Sequence, residues 1–466
     1  MIRIDVSHKT PSRADIWERL GSFLLGHQKT IRRVQWSVVF FYIVLLALPV
    51  LLPLADRAAY MWNNVTRFAQ MTFWGVWWPF VLVSTMLVGR VWCGLLCPEG
   101  FLSEVASSRS KGLALPRWLQ WPGWPTLAFA GTTLFGQMVS VYQYPKPAAL
   151  ILGGSTIAAM TVGYLYGRNK RVWCRYLCPV SGVFGLLAKV APLHFDVSEP
   201  RWKASQARIE KPAAVNCAPM VALRTMKGNS ACHMCGRCSG FRSAIKLARR
   251  SPNHEIVNVA GLRSAPHESA LIAFGLMGLA NAAFHWSAST WFLAIRQTMV
   301  EWLLQHDVMW PLAKALPWFL LTNYPERNDV MMPIDGVALV VFLAASSLIV
   351  GVSVSILVAL ANRVLGKWRG DRFHHLVQTL IPVASAGLFA GLLSLPIEQL
   401  RTDGVVLPFV LEFRIVIVLS ATVWSTWLSW CVGGLYTAST FRRILSSASV
   451  AMASLVGDAA VIGLLY

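Results

Sequence analysis

The chain has 466 residues, of which 55% are hydrophobic and 14% charged, against roughly 25% charged in an average soluble domain. That balance excludes a disordered chain, a collagen-like repeat and a small disulfide scaffold, and several runs of about 20 apolar residues mark a polytopic membrane protein. The formal net charge is +21, so the first question is on which side of a membrane the Lys and Arg residues lie.

Residues 1–34 carry Arg3, Lys9, Arg13, Arg19, Lys29, Arg32 and Arg33 with no apolar core at the extreme N-terminus. No cleavable signal peptide is expected, and this segment should stay in the cytoplasm. Nine spans are predicted near 35–54, 70–89, 123–142, 147–166, 268–286, 335–360, 376–396, 413–435 and 445–465. With the N-terminus inside, eight of the 42 Lys and Arg fall outside: Arg57, Arg67, Lys146, Arg296, Lys314, Arg327, Arg401 and Arg414. This is the positive-inside pattern of an inner-membrane protein. The basic excess is a topology signal, and nucleic acid is the poorer reading. The expected fold is all-α and membrane-embedded, with one small irregular cytoplasmic insert.

Residues 35–189 read as a duplication. Gly89-Arg90-Val91-Trp92-Cys93-Gly94-Leu95-Leu96-Cys97-Pro98 follows the second span, and Arg171-Val172-Trp173-Cys174-Arg175-Tyr176-Leu177-Cys178-Pro179 follows the fourth. Each copy is a membrane hairpin expected to end in Val-Trp-Cys-x3-Cys-Pro at the cytoplasmic surface. Residues 190–266 are the one sizeable polar insert, too small for an ordinary core and in need of a metal staple. Residues 267–466 form a C-terminal membrane domain. Within it, 288–332 mix Trp291, Trp302, Trp310 and Trp318 with Arg296, Glu301, His306, Asp307 and Lys314. So many ionisable groups are costly in a bilayer, and interfacial helices on the outer face are expected.

Eight of the nine cysteines, Cys93, Cys97, Cys174, Cys178, Cys217, Cys232, Cys235 and Cys238, lie in segments assigned to the cytoplasm. Thiols there are kept reduced, which favours metal binding over disulfides. Cys431, among Trp424, Trp427 and Trp430, reads as a buried apolar residue. Cys232-His233-Met234-Cys235-Gly236-Arg237-Cys238 is C-x2-C-x2-C, the spacing that brings three thiolates to corners of one [4Fe–4S] cube. Zinc is the rival, although its knuckles usually pair two separated C-x2-C units. Arg242 stands where a ferredoxin run would place its fourth Cys. Cys217 is the nearest replacement, and Cys97 or Cys178, each before Pro, are alternatives. Cys93, Cys97, Cys174 and Cys178 then make a possible second set of four, against the plainer reading of membrane-edge packing. Arg224, Lys227, Arg237 and Arg242 should favour a reduced, more negative cluster.

Other signals are weaker. His285, His374 and His375 at span ends read as solvated rather than as haem or copper ligands, and Glu412 and Arg414 as an interfacial ion pair. The sequence carries no dinucleotide fingerprint, P-loop or zinc-protease motif.

At these cysteine motifs, over roughly residues 35–265, the chain resembles membrane polyferredoxins of the NapH and NosR type. That resemblance implies electron transfer between quinol or a cytoplasmic donor and a periplasmic metalloprotein, by an electron carrier or oxidoreductase subunit rather than a stand-alone enzyme. One C-x2-C-x2-C run in place of two full ferredoxin motifs, and no periplasmic flavin domain, set this chain apart from those proteins. The block Cys232-His233-Met234-Cys235-Gly236-Arg237-Cys238-Ser239-Gly240-Phe241, with further spans behind it, is similar to FtrD-type ferredoxin partners of ferrous-iron permeases. A cupric reductase resembling the oxidase accessory protein CcoG is an alternative. So are a metal permease with a metal-bound regulatory insert and a scaffold with a structural cluster.

Overall fold

The computed structural model describes residues 16–56, 59–206, 214–263 and 265–463. Arg3, Lys9, Arg13, Arg57 and the last two residues of the ninth predicted span lie outside them. Among the described residues, eight helices are long and apolar enough to cross a membrane: Gln28–Leu51, Val65–Val88, Pro145–Tyr166, Pro266–Ala288, Pro333–Val364, Ile381–Thr402, Val410–Tyr436 and Thr440–Val461. The molecule is an all-α polytopic membrane protein.

Local chemistry sets several of these starts. Asn64 caps Val65–Val88 by accepting from the Thr66 and Arg67 amides, two donors that a helix N-terminus otherwise leaves unsatisfied. Pro145, Pro266 and Pro333 open three others, where a missing N–H costs nothing.

The third predicted span differs from expectation. It is the 15-residue helix Trp124–Met138, only about 22 Å long at 1.5 Å per residue. It still traverses the bundle. Thr126 Oγ1 donates to His267 O at 3.4 Å at the start of Pro266–Ala288, and Trp286 Nε1 donates to Gln137 Oε1 at 2.9 Å at its far end. The turn after it binds the opposite surface, with Thr322 N donating to Met138 O at 2.9 Å.

The C-terminal helices share one core with the hairpins, in which Val81, Leu82, Trp92, Cys93, Phe184, Leu271, Met277, Val354, Leu376, Leu428 and Val450 pack together. Small residues let these helices approach closely, as is common in membranes. A Cβ on Gly278 would lie 2.7 Å from Ser347 Cα, and one on Gly351 2.2 Å from Phe274.

The insert has more order than its composition suggests. Strands β1 (Leu193–Val197) and β2 (Ile245–Arg249) pair antiparallel, with Phe195 opposite Leu247. Phe195, Trp202, Met234, Ile245 and Leu247 bury themselves with Cys232 and Cys238. The helix Ile16–Gly26 packs on this sheet, its Gly21 against Ser239 and Leu247. The insert and the entry points of the two cysteine motifs share one end of the bundle, where Arg90 Nη1 donates to Ser230 O of the insert at 2.8 Å. Residues 288–332 occupy the opposite end, where Trp291 is 71% and Trp310 66% exposed.

Candidate iron–sulfur centres

The Cys-x3-Cys-Pro motifs do not stop at the surface; they fold back between the helices. Gly89, with φ +75°, reverses the chain after Val65–Val88, and Arg168 and Asn169, at φ 45° and 63°, do so after Pro145–Tyr166. Trp92 then packs against Trp77 with ring centroids 4.8 Å apart, eleven residues back along its own span. Helix Pro98–Ser107 returns to the surface beside Gly154–Tyr166, with Gly163 against Ser103 and Gly167 against Ser107. Irregular backbone at membrane depth is tolerated where protein surrounds it.

The first crossing helix measures the depth. Gln28 Nε2 donates to Cys235 O at 3.0 Å and Gln35 Nε2 to Gly94 O at 3.1 Å. Tyr42, bonded to Thr156 Oγ1 at 2.9 Å, has Glu99 and Cys97 as electrostatic neighbours. Each seven-residue step is about 10.5 Å of rise. Cys97 thus sits beside the middle of Gln28–Leu51 and of Pro145–Tyr166, while the insert run sits at the helix start.

The thiols sort into two groups. Cys97 and Cys174 come together, since a Cβ on Gly100 would lie 3.6 Å from the first sulfur and 3.4 Å from the second, and Cys93 and Cys178 are the other thiols of the same two motifs. In the insert, Cys238 has Cys232, Cys235 and Cys217 around it. Cys217 remains the candidate to join the C-x2-C-x2-C run, while Cys97 lies with Cys174 of the other motif. Backbone amides donate to sulfur in both: Met234 N to Cys232 Sγ and Gly100 N to Cys97 Sγ, each at 3.4 Å.

Two arginines at matching places in the repeat cross-brace the centres. Arg90 Nη2 donates to Ser181 Oγ of the second motif at 2.9 Å and its Nη1 to Ser230 O of the insert at 2.8 Å. Arg171 Nη1 donates to Cys93 O of the first motif, and its Nε pairs with Glu104 at 2.7 Å. Glu104 also holds Arg237 at 2.6 Å, so the Arg237 charge expected to favour a reduced cluster is paired. Arg171 stands between the groups, with Cys174 and Cys235 both among its electrostatic neighbours. Sequence reading missed this role, although Arg-Val-Trp-Cys repeats in both copies and was the available signal.

Gly94 shows how tightly the layers meet, since a Cβ there would lie 2.0 Å from His233 O and 3.1 Å from Cys235 N. Burial pushes the Cys232 thiol up to about 12 and raises Cys217 as well. Burial and the guanidinium groups of Arg90, Arg171 and Arg175 hold His233 neutral.

Among the described residues, no three His, Cys, Asp or Glu converge on one metal-ion position. Zinc at 2.3 Å from each sulfur would need the sulfurs within ~4 Å of one another. A cube takes each thiolate at a separate iron corner, and the sulfur-directed amides and close glycines suit such a group. The other candidates are differently placed. His375 is buried, with Nδ1 on Tyr436 Oη and Nε2 on Ile256 O, both at 2.8 Å. His285 Nδ1 lies 2.8 Å from Asn281 O, and His374 Nδ1 2.9 Å from Ser269 Oγ. Burial, rather than solvation, explains His285 and His375, because helix ends here pack under neighbouring segments. Arg414 donates to Ser394 Oγ at 2.9 Å instead of pairing with exposed Glu412. Cys431 is half-buried rather than fully buried.

The 4Fe-4S binding domain family matches this chain twice, over residues 70–116 and 151–198. Each match covers a span and its Cys-x3-Cys-Pro motif and ends before Cys217. Among curated proteins, the putative electron transport protein YccM of Escherichia coli is 27% identical over 136 residues, 24% of this chain and 38% of that protein. The regulatory protein NosR of Pseudomonas aeruginosa is 30% identical over 134 residues, 24% of this chain and 18% of that protein. The chain thus matches well under half the length of either relative. No solved structure matches it.

Proposed function

We propose that this chain, whose duplicated hairpins are [4Fe–4S]-binding segments of the NapH/NosR type, is an electron carrier with two centres set at different depths of one membrane bundle. Cys217, Cys232, Cys235 and Cys238 would hold one cluster, and Cys93, Cys97, Cys174 and Cys178 the other. Each cluster supplies a one-electron couple, whose potential the protein tunes through hydrogen bonds to sulfur, burial and net charge. The observation that carries this reading is the depth difference along Gln28–Leu51, from Cys235 O at Gln28 to Gly94 O of the first motif at Gln35.

The proposed direction runs from the insert, on the cytoplasmic side of a bacterial inner membrane, towards a periplasmic metalloprotein or permease subunit at residues 288–332. The Lys and Arg distribution supports this orientation. A hydrocarbon core of about 30 Å makes a centre part-way down useful. Beyond it, packed rings continue towards the far end: Trp92 on Trp77, Phe73 5.6 Å from Trp77 and 6.5 Å from Trp74, and Trp74 4.7 Å from Tyr142. Ferrous-iron uptake is the proposed pathway, supported by the similarity of the 232–241 block to FtrD-type proteins.

Purified protein in sealed vesicles tests the reading. With reductant on the insert side and a metalloprotein acceptor on the other, wild type should reduce the acceptor and Cys97→Ser should not. Equal rates in both would remove the deeper thiols from the route.

A further inference from the structure

A cleft of about 1050 Å³ opens between the second hairpin, the insert and the start of Pro266–Ala288. It is at the large end of the small-molecule range, roughly 300–1,000 Å³. Cys174 of the deeper thiol set and His233 of the insert both line it. No role described so far uses this space.

Its lining has two characters. Arg90, Arg175, Lys189, Lys227 and Arg263 bring five cations against two carboxylates, Glu255 and Glu268. Both carboxylates are already matched, Glu255 by Arg250 and Glu268 by Lys189 at 2.6 Å. Among the described residues, Arg175, Lys227 and Arg263 have no ion pair. Pro125, Val221, Met226, Val259 and Leu271 supply apolar surface, and Tyr176 an aromatic ring. Two buried nitrogens of lining residues, Arg90 Nε and His233 Nδ1, have no hydrogen-bond partner. An orphaned buried polar atom normally costs about 1–3 kcal/mol, so a ligand acceptor that reaches Arg90 Nε relieves a standing penalty, and His233 Nδ1 takes a donor or an acceptor according to its tautomer.

We propose that this cleft binds a phosphate-bearing, ring-containing redox nucleotide, with phosphate at the Arg175, Lys227 and Arg263 rim and the ring inside near Tyr176 and His233. Arg and Lys clusters suit phosphate oxygens, and the apolar floor suits a planar ring. Flavin mononucleotide and reduced nicotinamide dinucleotide share this chemistry. The reading of the cleft as an electron entry point rests on Cys174 holding a cluster; the binding does not.

The test uses the full chain in detergent with its iron content measured. Flavin mononucleotide and NADH are titrated separately, following quenching of flavin fluorescence and the change in nicotinamide fluorescence. One of them should bind saturably. Arg175→Glu plus Arg263→Glu should weaken it at least tenfold, about the worth of one charge-assisted contact, with iron unchanged. Ala222→Trp, which fills the cleft without altering charge, should do the same, and Arg109→Glu elsewhere on the surface should have no effect. Failure of both nucleotides to bind iron-replete protein overturns the proposal. So does binding that the cleft variants leave intact, or displacement by a neutral quinone that binds in their place. Loss of iron in wild type with nucleotide binding retained would instead overturn the two-cluster reading.

Discussion

At the scale of residues, the two thiol groups make separable predictions. Cys217→Ser, like Cys232→Ser, should remove about four irons per chain and leave the deeper cluster, because each cube takes four thiolates. Cys97→Ser and Cys178→Ser should remove a similar amount and leave the insert's cluster. Iron and sulfide analysis with low-temperature EPR distinguishes these outcomes, and full iron in Cys217→Ser would return the fourth-ligand role to another residue. Glu104 is the second test. Glu104→Leu strips the partner from Arg171, which is 2% exposed, and leaving a buried charge uncompensated costs about 3–5 kcal/mol. The thermal midpoint should fall, and adding Arg171→Met should restore part of it, since the double variant leaves only the 26%-exposed Arg237 without its carboxylate.

At the scale of elements, the contact between motif and insert is the vulnerable joint. Gly94→Ala places a methyl group against the backbone of His233, which cannot move as a side chain tip would. The insert should then sit less firmly on the hairpins. Faster hydrogen exchange over β1 and β2, with the hairpin cluster retained, is the expected outcome; unchanged exchange would mean that the layers meet more loosely than the geometry implies. The helix Ile16–Gly26 belongs to this same joint. Its one basic residue, Arg19, counts towards topology, whereas its Leu24 packs where any Cβ on Gly236 would come within 2.4 Å.

At the scale of the whole molecule, topology is the controlling property. Gly370 lies at the motif end, where Asn362 Nδ2 donates to Arg369 O and His375 reaches Ile256 of the insert segment. Gly404 lies one crossing away, after Ile381–Thr402. A reporter at Gly370 should therefore read cytoplasmic and one at Gly404 periplasmic. The same compartment for both would break the crossing count, and a periplasmic Gly370 would reverse the proposed direction of transfer.

Composition and hydropathy alone determined the membrane class, because a bilayer demands long apolar helices whatever the fold. Spacing alone marked the cysteines as candidate ligands, because C-x2-C-x2-C and a repeated Cys-x3-Cys-Pro are local features of the chain. Only tertiary structure brought Cys97 to Cys174 across a long stretch of sequence, where both sulfurs lie within 3.6 Å of a Cβ on Gly100. It alone turned both motifs inward, through positive φ at Gly89 and at Arg168 and Asn169 that hydropathy does not register. It also made Arg90 and Arg171 partners of each other's motifs. A charged side chain becomes a buried brace only when folding delivers its acceptors: Ser181 and Ser230 for Arg90, and Cys93 O and Glu104 for Arg171.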